Sequence, residues 1–299
     1  MAQLKNELAE KELIKQFRHD NSWMSELKPK NNWVNNDVIK IPKRGAAPEV
    51  LINNNVYPIN SNKRDDDFIT LSLNKYDTEN TTVSDDELYA LPYEKINDVQ
   101  VQHRETLEDK TAEHALYSIA VGVESDKLPI LKTTGEDDGT GRRRLTTADL
   151  IALWKKLGEL KVPLQGRVIV LSTEHAADLM MEDSARAKSW GADFQTGVAG
   201  VTHVGFKLWV ATYCPRYAAD TDNGNKLTKQ AFESITGKQA SIVFWKNNAC
   251  KATGTVTRYA VDARSNPTYR RNEIGFRLWF IAIGIKDEGF AAILSDDAE

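Results

Sequence analysis

Apolar positions along the chain change period several times, and each change marks an element. Leu4, Leu8, Leu13, Ile14 and Phe17 stand at near-helical spacing among charges, which predicts a thin amphipathic helix. The polar, turn-rich stretch Arg18 to Asp37 follows, carrying Trp23, Met24 and Trp33. Exposed tryptophans there predict an arm that lies on another surface. "VIKIP" (Val38–Pro42) and "EVLI" (Glu49–Ile52) read as short strands. From Phe68 to Tyr76 the pattern alternates, with Ile69, Leu71 and Leu73 on one side and Thr70, Ser72 and Asn74 on the other. "VYPIN" (Val56–Asn60) is its expected hairpin partner, and the polar tip is "SNKRDDD". A hairpin with one mildly apolar face has little core of its own, so it is expected to project.

The longest helical pattern runs from Ile96 to Val121. Ile96, Val99 and Leu107 share one face, while Ala112, Ala115, Leu116, Ile119 and Val123 lie roughly opposite. Such a helix is expected to span two environments, its own domain and a neighbour. A second helix follows, with Leu150, Trp154 and Leu157 as its buried stripe and Thr146 with Asp149 as a capping box. Next come a buried strand, a Ser/Thr cap and a short helix. The remaining strands are expected in "HVGFKLWVATYCP", "ASIVFW", "TGTVTRYAVDA", "IGFRLWFIAIGIKD" and "GFAAILS". Helices and strands in this order give an α+β fold.

The short helix brings the first candidate chemistry. His175, Asp178 and Glu182 stand at i, i+3 and i+7, on one face. Ala176, Ala177, Leu179, Met180 and Met181 fill the rest of the wheel, so the trio reads as the wet complement of an apolar face. His175 and Glu182 are also about 10 Å apart along the axis, awkward for one metal ion. Alanine at any of the three is therefore expected to change stability by no more than about 0.5 kcal/mol. A metal-dependent enzyme built on this trio is the alternative.

The other motifs are weaker. The loop from Asp220 resembles a calcium loop, but Ala231 stands where the bidentate Glu belongs. "TGEDDGTGRRR" sets glycines beside Arg142, Arg143 and Arg144, yet Glu136, Asp137 and Asp138 would repel a phosphate. It reads as a solvated or subunit-facing loop. His103 and His114 are about 16 Å apart on their helix, too far for one ion. No nucleotide-binding glycine motif and no nucleophile elbow is present. No catalytic or metal-binding residue and no cofactor is expected.

Composition narrows the classes further. The 299 residues carry 39 basic and 43 acidic side chains, a net charge of −4, which gives no overall drive toward nucleic acid or an anionic membrane. The two cysteines, Cys214 and Cys250, form no C-x-x-C pair, so a reducing compartment is the simplest reading. The charged N-terminus has no signal-peptide core, and no stretch approaches a membrane span. What distinguishes the chain is its extensions: an arm, a projecting hairpin and a two-faced helix. Those suit a protein that touches copies of itself.

The order of these parts resembles the major capsid (coat) proteins of tailed bacteriophages. "NNDVIKIPKRGAAPEVLINN" is similar to the strands that lead into the family's extended E-loop, and "DDDFITLSLNKYDTENTTVSDDEL" to its return. "HRETLEDKTAEHALYSIA" resembles the start of the spine helix. "LIALWKKLGELKVPLQGRVIVLSTEHAADLMMED" resembles the helix, "VP..GR" strand, cap and short helix of the axial domain. "GVAGVTHVGFKLWVATYCP" and "SIVFWKNNACKATGTV" resemble the segments that follow.

The resemblance implies an N-terminal arm over residues 1–37 and an E-loop over 53–88. It implies a peripheral domain from 38–52, 89–135 and 263–299, and an axial domain over 136–262. It further implies a structural subunit of an icosahedral virion. Pentamers and hexamers would enclose double-stranded DNA without reading its sequence, and no membrane would be involved. A portal protein is an expected partner, with scaffold or decoration proteins as further candidates, and assembly is expected in the host bacterial cytoplasm. A bacterial cargo compartment of the same fold is the runner-up. The expected inter-subunit contacts are the tip residues Lys63, Arg64, Asp65, Asp66 and Asp67, the arm residues Trp23 and Trp33, and Arg142, Arg143 and Arg144.

Overall fold

The computed structural model describes residues 22–35, 38–43, 53–55, 57–59, 67–84, 95–183, 201–220, 224–266 and 268–298. The expected arm helix, the "EVLI" strand and tip residues Lys63 to Asp66 lie outside them. In chain order the strands begin with β1 (Lys28–Pro29), β2 (Val34–Asn35), β3 (Val38–Lys43), β4 (Asp67–Ser72), β5 (Asn74–Asp77) and β6 (Thr81–Ser84). Then come α1 (Lys95–Ile119), β7 (Ile130–Lys132), α2 (Thr147–Glu159), β8 (Arg167–Ser172) and α3 (Thr173–Glu182). The rest is strand: β9 (Thr202–His203), β10 (Phe206–Ala211), β11 (Arg216–Asp220), β12 (Lys226–Lys229), β13 (Lys238–Trp245), β14 (Ala249–Val261), β15 (Arg271–Gly284) and β16 (Phe290–Leu294).

Two sheets organise the body. An eight-stranded mixed sheet centres on β13, which pairs antiparallel with β8, β16 and β11, while β10 lies parallel to β8 and β7 parallel to β16. Strand alternation divides its side chains between two cores. Val168, Val170, Ile242, Phe244, Ala292 and Leu294 face one way, toward the core they share with α1 and the second sheet. Ile169, Leu171, Val243, Ala291 and Ile293 face the other way, toward Leu150, Leu153 and Leu157 of α2 and Leu179 of α3. Covering both faces is why β8 is buried along its whole length and reads as an unbroken apolar run.

The second sheet is built on the long β14–β15 hairpin, with a register shift between Thr253 and Val256. β5 and β6 pair with β15, and β1 lies parallel to β14. A tight turn joins β9 to β10. Val204 and Gly205 both have positive φ, 48° and 76°, as a two-residue hairpin of matching twist requires.

Several expectations are corrected. β4 pairs with β3, Asp67 to Ser72 against Lys43 to Val38, so "VIKIP" and not "VYPIN" is its partner. The alternation breaks at the root. Leu73 is buried with Ile39, Ile41, Ala252 and Ile281, whereas Leu71 is exposed. The hairpin is thus anchored at its base, while Phe68 and Leu71 of β4 are exposed.

Along α1 the buried positions are Val99, His103, Leu107, Thr111, Ala115, Leu116 and Ile119. Steps of four residues wind about 40° each, so one row spirals round the helix. The polar His103 and Thr111 fill the gap that looked like a change of face. The two environments are the two sheets of this chain: His103 lies against Phe276 of β15, and Lys229 of β12 donates to the Tyr117 and Ala120 carbonyls. Val123, expected in the stripe, is exposed.

On α2 the capping box forms as expected, but Leu153 and not Trp154 completes the buried stripe. β10 ends at Ala211 rather than at Pro215. The boundaries expected at 135/136 and 262/263 do not separate the sheets. β7 and β16 belong with β8 and β13, and β14 belongs with β15.

Candidate functional site: a buried polar clamp and the assembly surfaces

The expected wet trio is not wet. His175 is 0% exposed and Asp178 5% exposed, while Met181 is 69% exposed. The wheel is rotated because α3 is short and must place its polar groups where partners wait. Ser172 starts it, its hydroxyl accepting from the His175 backbone N–H at 3.3 Å. Of the three, the helix turns His175 and Asp178 inward and leaves Glu182 at the surface.

Asp178 accepts from Arg142 Nη1 and Nη2 at 2.7 and 2.8 Å, a two-pronged ion pair, and from the Leu145 backbone N–H at 3.0 Å. Arg142 Nε donates to Asp138 at 2.9 Å. The Asp178 carboxylate outweighs burial and raises the guanidinium above its ordinary range. Asp138 is held well below the carboxylate range, chiefly by the Thr140 hydroxyl and backbone N–H, then by Arg142. Arg142, expected at a subunit contact, is therefore occupied at home, and it ties the 135–144 loop to α3.

His175 carries the second half of the clamp. Nδ1 lies 2.7 Å from the Ser241 hydroxyl and Nε2 lies 2.8 Å from that of Ser295. Ser241 also accepts from the Ser172 backbone N–H at 3.1 Å. The ring thus pins α3 to β13 and to the segment after β16. Burial lowers its pKa to about 4, so it is neutral near pH 7. A Ser–His contact can belong to a nucleophile, but here both ring nitrogens are engaged by buried hydroxyls and the nearby carboxylate serves Arg142. The arrangement holds elements together.

Glu182 accepts from the Thr147 backbone N–H at 3.0 Å, where it caps the start of α2. Among the described residues no three His, Cys, Asp or Glu are grouped to hold a metal ion. The serines are 66 and 120 residues from His175, so no local spacing could have flagged them.

The other expected contact residues are scattered. Trp23 is 5% exposed and meets Phe244 edge-on at 6.2 Å between ring centroids. Its arm is anchored at home: Met24 and Leu27 are buried, and Glu26 accepts from Lys207 and Lys246 at 2.5 and 3.0 Å. Burial raises the Glu26 carboxyl, but the two ammonium groups win and hold it below its usual range. Trp33 is half-buried under Lys30, whose Nζ lies 4.2 Å from the ring centroid. Arg143 Nε donates to the Asp297 carbonyl at 3.3 Å, and Arg144 is half-buried. Of the tip, Asp67 begins β4. Lys229, which sequence reasoning missed, is lowered by burial to about 8 while it caps the C-terminus of α1.

Cys214 and Cys250 are both buried thiols, and burial raises both. Asp220 ends β11, whose partner β12 starts at Lys226, so the stretch that looked like a calcium loop joins two strands.

No family model matches the sequence, and no curated protein does. Solved structures do. The capsid of Ralstonia phage GP4 aligns over 92% of this chain and 87% of its own, at 9% identity and TM-score 0.64. The capsid of cyanophage P-SCSP1u aligns over 90% and 86%, at 12% identity and TM-score 0.60. The virus-like particle protein of Pyrococcus furiosus aligns over 97% and 99%, at 11% identity and TM-score 0.55. At identities this low the agreement lies in the path of the backbone, and this chain has the fold seen in the capsids of tailed phages.

Proposed function

We propose that the chain is the structural subunit of an icosahedral phage capsid, assembling into pentamers and hexamers around double-stranded DNA. The observation that carries this reading is the likeness to phage capsids over about nine-tenths of the chain. The site supports it: the inward polar groups of α3 are engaged by Arg142, Ser241 and Ser295, which stabilises one unit. The E-loop hairpin, anchored at Leu73, Ile39 and Ile41 and with Phe68 and Leu71 exposed, has the form of an element that acts on a neighbour. In this reading the sheet of β14 and β15 with α1 is the peripheral domain, and the β13-centred sheet with α2 and α3 is the axial domain.

The inter-subunit contacts are Lys63 to Asp67 at the tip, with Trp33, Arg143 and Arg144. A portal protein, with scaffold or decoration proteins, completes the partners, and the site of action is the virion. A net charge of −4 suits a container that must not grip its DNA. The cargo-compartment reading is less favoured, because the likeness carrying the proposal is to phage capsids. Sedimentation velocity of the purified protein over a range of salt and concentration tests assembly. Capsomer- or shell-sized species are expected, and a monomer under every condition overturns the proposal.

A further inference from the structure

A groove of about 640 Å³ runs between α1 and the chain of β5 and the turn after it, a size common among binding pockets. It is elongated, since His103 and His114 both line it and stand about 16 Å apart along α1. At one end are Tyr76, His114 and Phe232, each half-buried and so still open to a partner. The Tyr76 hydroxyl lies 2.6 Å from His114 Nδ1, and Phe232 meets the His114 ring edge-on at 5.1 Å between centroids, so these walls are fixed. At the other end are Thr78, Glu79 and His103. Thr78 bonds to Phe276, and His103 packs on the same Phe276 at 5.7 Å between ring centroids. His103 is 8% exposed, and its Nε2 has no hydrogen-bond partner among the described residues. A buried polar atom without a partner is costly, so this end of the groove is short of one hydrogen bond. Glu79 is exposed and has no ion pair among the described residues.

The far end of the β14–β15 hairpin carries the complement. Tyr259 and Val261 are exposed there, and Tyr269 is 64% exposed. Arg271 lies 4.6 Å from the Tyr269 ring centroid and holds the ring in position. Arg264 and Arg270 are exposed and have no ion pair among the described residues. Tyrosine and arginine are the side chains that most often anchor protein interfaces. A tyrosine beside an unpaired cation matches an aromatic groove that holds an unpaired anion and an unmet hydrogen bond. The tip does not reach its own groove. Arg271 and Phe276 both lie on β15, about 17 Å apart at the rise of a strand, so the recipient is another molecule.

We propose that Tyr269 of one copy enters this groove of a second copy, with its ring beside Tyr76, its hydroxyl at His103 and Arg270 against Glu79. The inference rests on the self-assembly reading and goes beyond it by assigning a contact outside the E-loop.

The test mixes two full-length proteins of different tag length, one carrying Thr268→Cys and the other Thr106→Cys, and oxidises them mildly at concentrations where the parent is run in parallel by sedimentation. Thr268 adjoins Tyr269 and Thr106 lines the groove, and both are exposed. The native Cys214 and Cys250 are buried. The mixed disulfide dimer should form at least about 5-fold more than with Leu164→Cys in place of Thr106→Cys, because a seated tip raises the local concentration of one thiol at the other. Leu164, on the loop after α2, is exposed. A parent that assembles while the mixed dimer stays at the control yield overturns the docking and leaves the self-assembly reading standing. A parent that is monomeric under every condition overturns both. Charge exchange provides the second measurement, in proteins of unchanged circular dichroism. Arg270→Glu and Glu79→Arg should each raise the concentration needed for assembly at least about 5-fold, and the two together should bring it back to within about 2-fold of the parent. A double variant no better than the single ones overturns the docking.

Discussion

Asparagine at Asp178 keeps the shape of the side chain and removes its charge. Arg142 then faces a neutral amide from a position where its side chain is only 16% exposed. Removing one partner of a buried ion pair costs about 3–5 kcal/mol. Arg142 retains Asp138 at 2.9 Å and some access to water, which brings the expectation for Asp178→Asn to about 2–4 kcal/mol. For a chain of this size that is a fall in melting temperature of roughly 3–6 °C. Arg142→Met should cost a similar amount, because it strands the Asp178 carboxylate. Arg142→Met with Asp178→Leu should cost clearly less than the sum, since replacing both charges by apolar groups is often near neutral. Denaturant unfolding of the dispersed subunit, for the parent, Arg142→Met, Asp178→Leu and the double variant, gives the coupling. Single-variant losses below about 1 kcal/mol, or strictly additive losses, would refute the clamp.

Three further outcomes are expected. His175→Asn leaves at least one serine hydroxyl without its partner and should lower stability by about 1–3 kcal/mol. It should also flatten the acid limb of the stability curve. The folded pKa of about 4 lies below the ordinary 6.5, so the unfolded chain binds more protons between these values. His175 therefore costs nothing above about pH 6.5 and lowers stability by up to ~3 kcal/mol as pH falls toward 4; denaturation from pH 7 to 4 reads the slope. Glu182→Ala removes an exposed cap from Thr147 and should cost about 0.5–1 kcal/mol, visible as a small midpoint shift. Replacing Lys63 to Asp67 with Gly/Ser should leave melting unchanged but reduce the yield of closed particles, counted against the parent in parallel preparations.

Strong periodicity was legible. The extent of α1, the capping box of α2 and the buried run of β8 all follow from local pattern. Position on the wheel of α3 was not. An i, i+3, i+7 polar set looks the same whether it faces water or a buried partner. What decides is Arg142, 36 residues away, and Ser241 and Ser295 farther still. The same blindness misread Trp23, an aromatic in a polar stretch whose partner is Phe244 of β13. Strand pairing was misassigned for a related reason: β3 and "VYPIN" are equally short, and only the root packing of Ile39, Ile41 and Leu73 selects the former. The whole order of elements carried more information than any single motif, because each motif is degenerate and the order is not.

Electron microscopy of the purified full-length protein tests the central claim most directly. The account predicts closed, icosahedrally symmetric particles built from rings of five and six, with this chain as the shell component. Uniform isolated monomers in every field, from protein that melts cooperatively and is therefore folded, would contradict it.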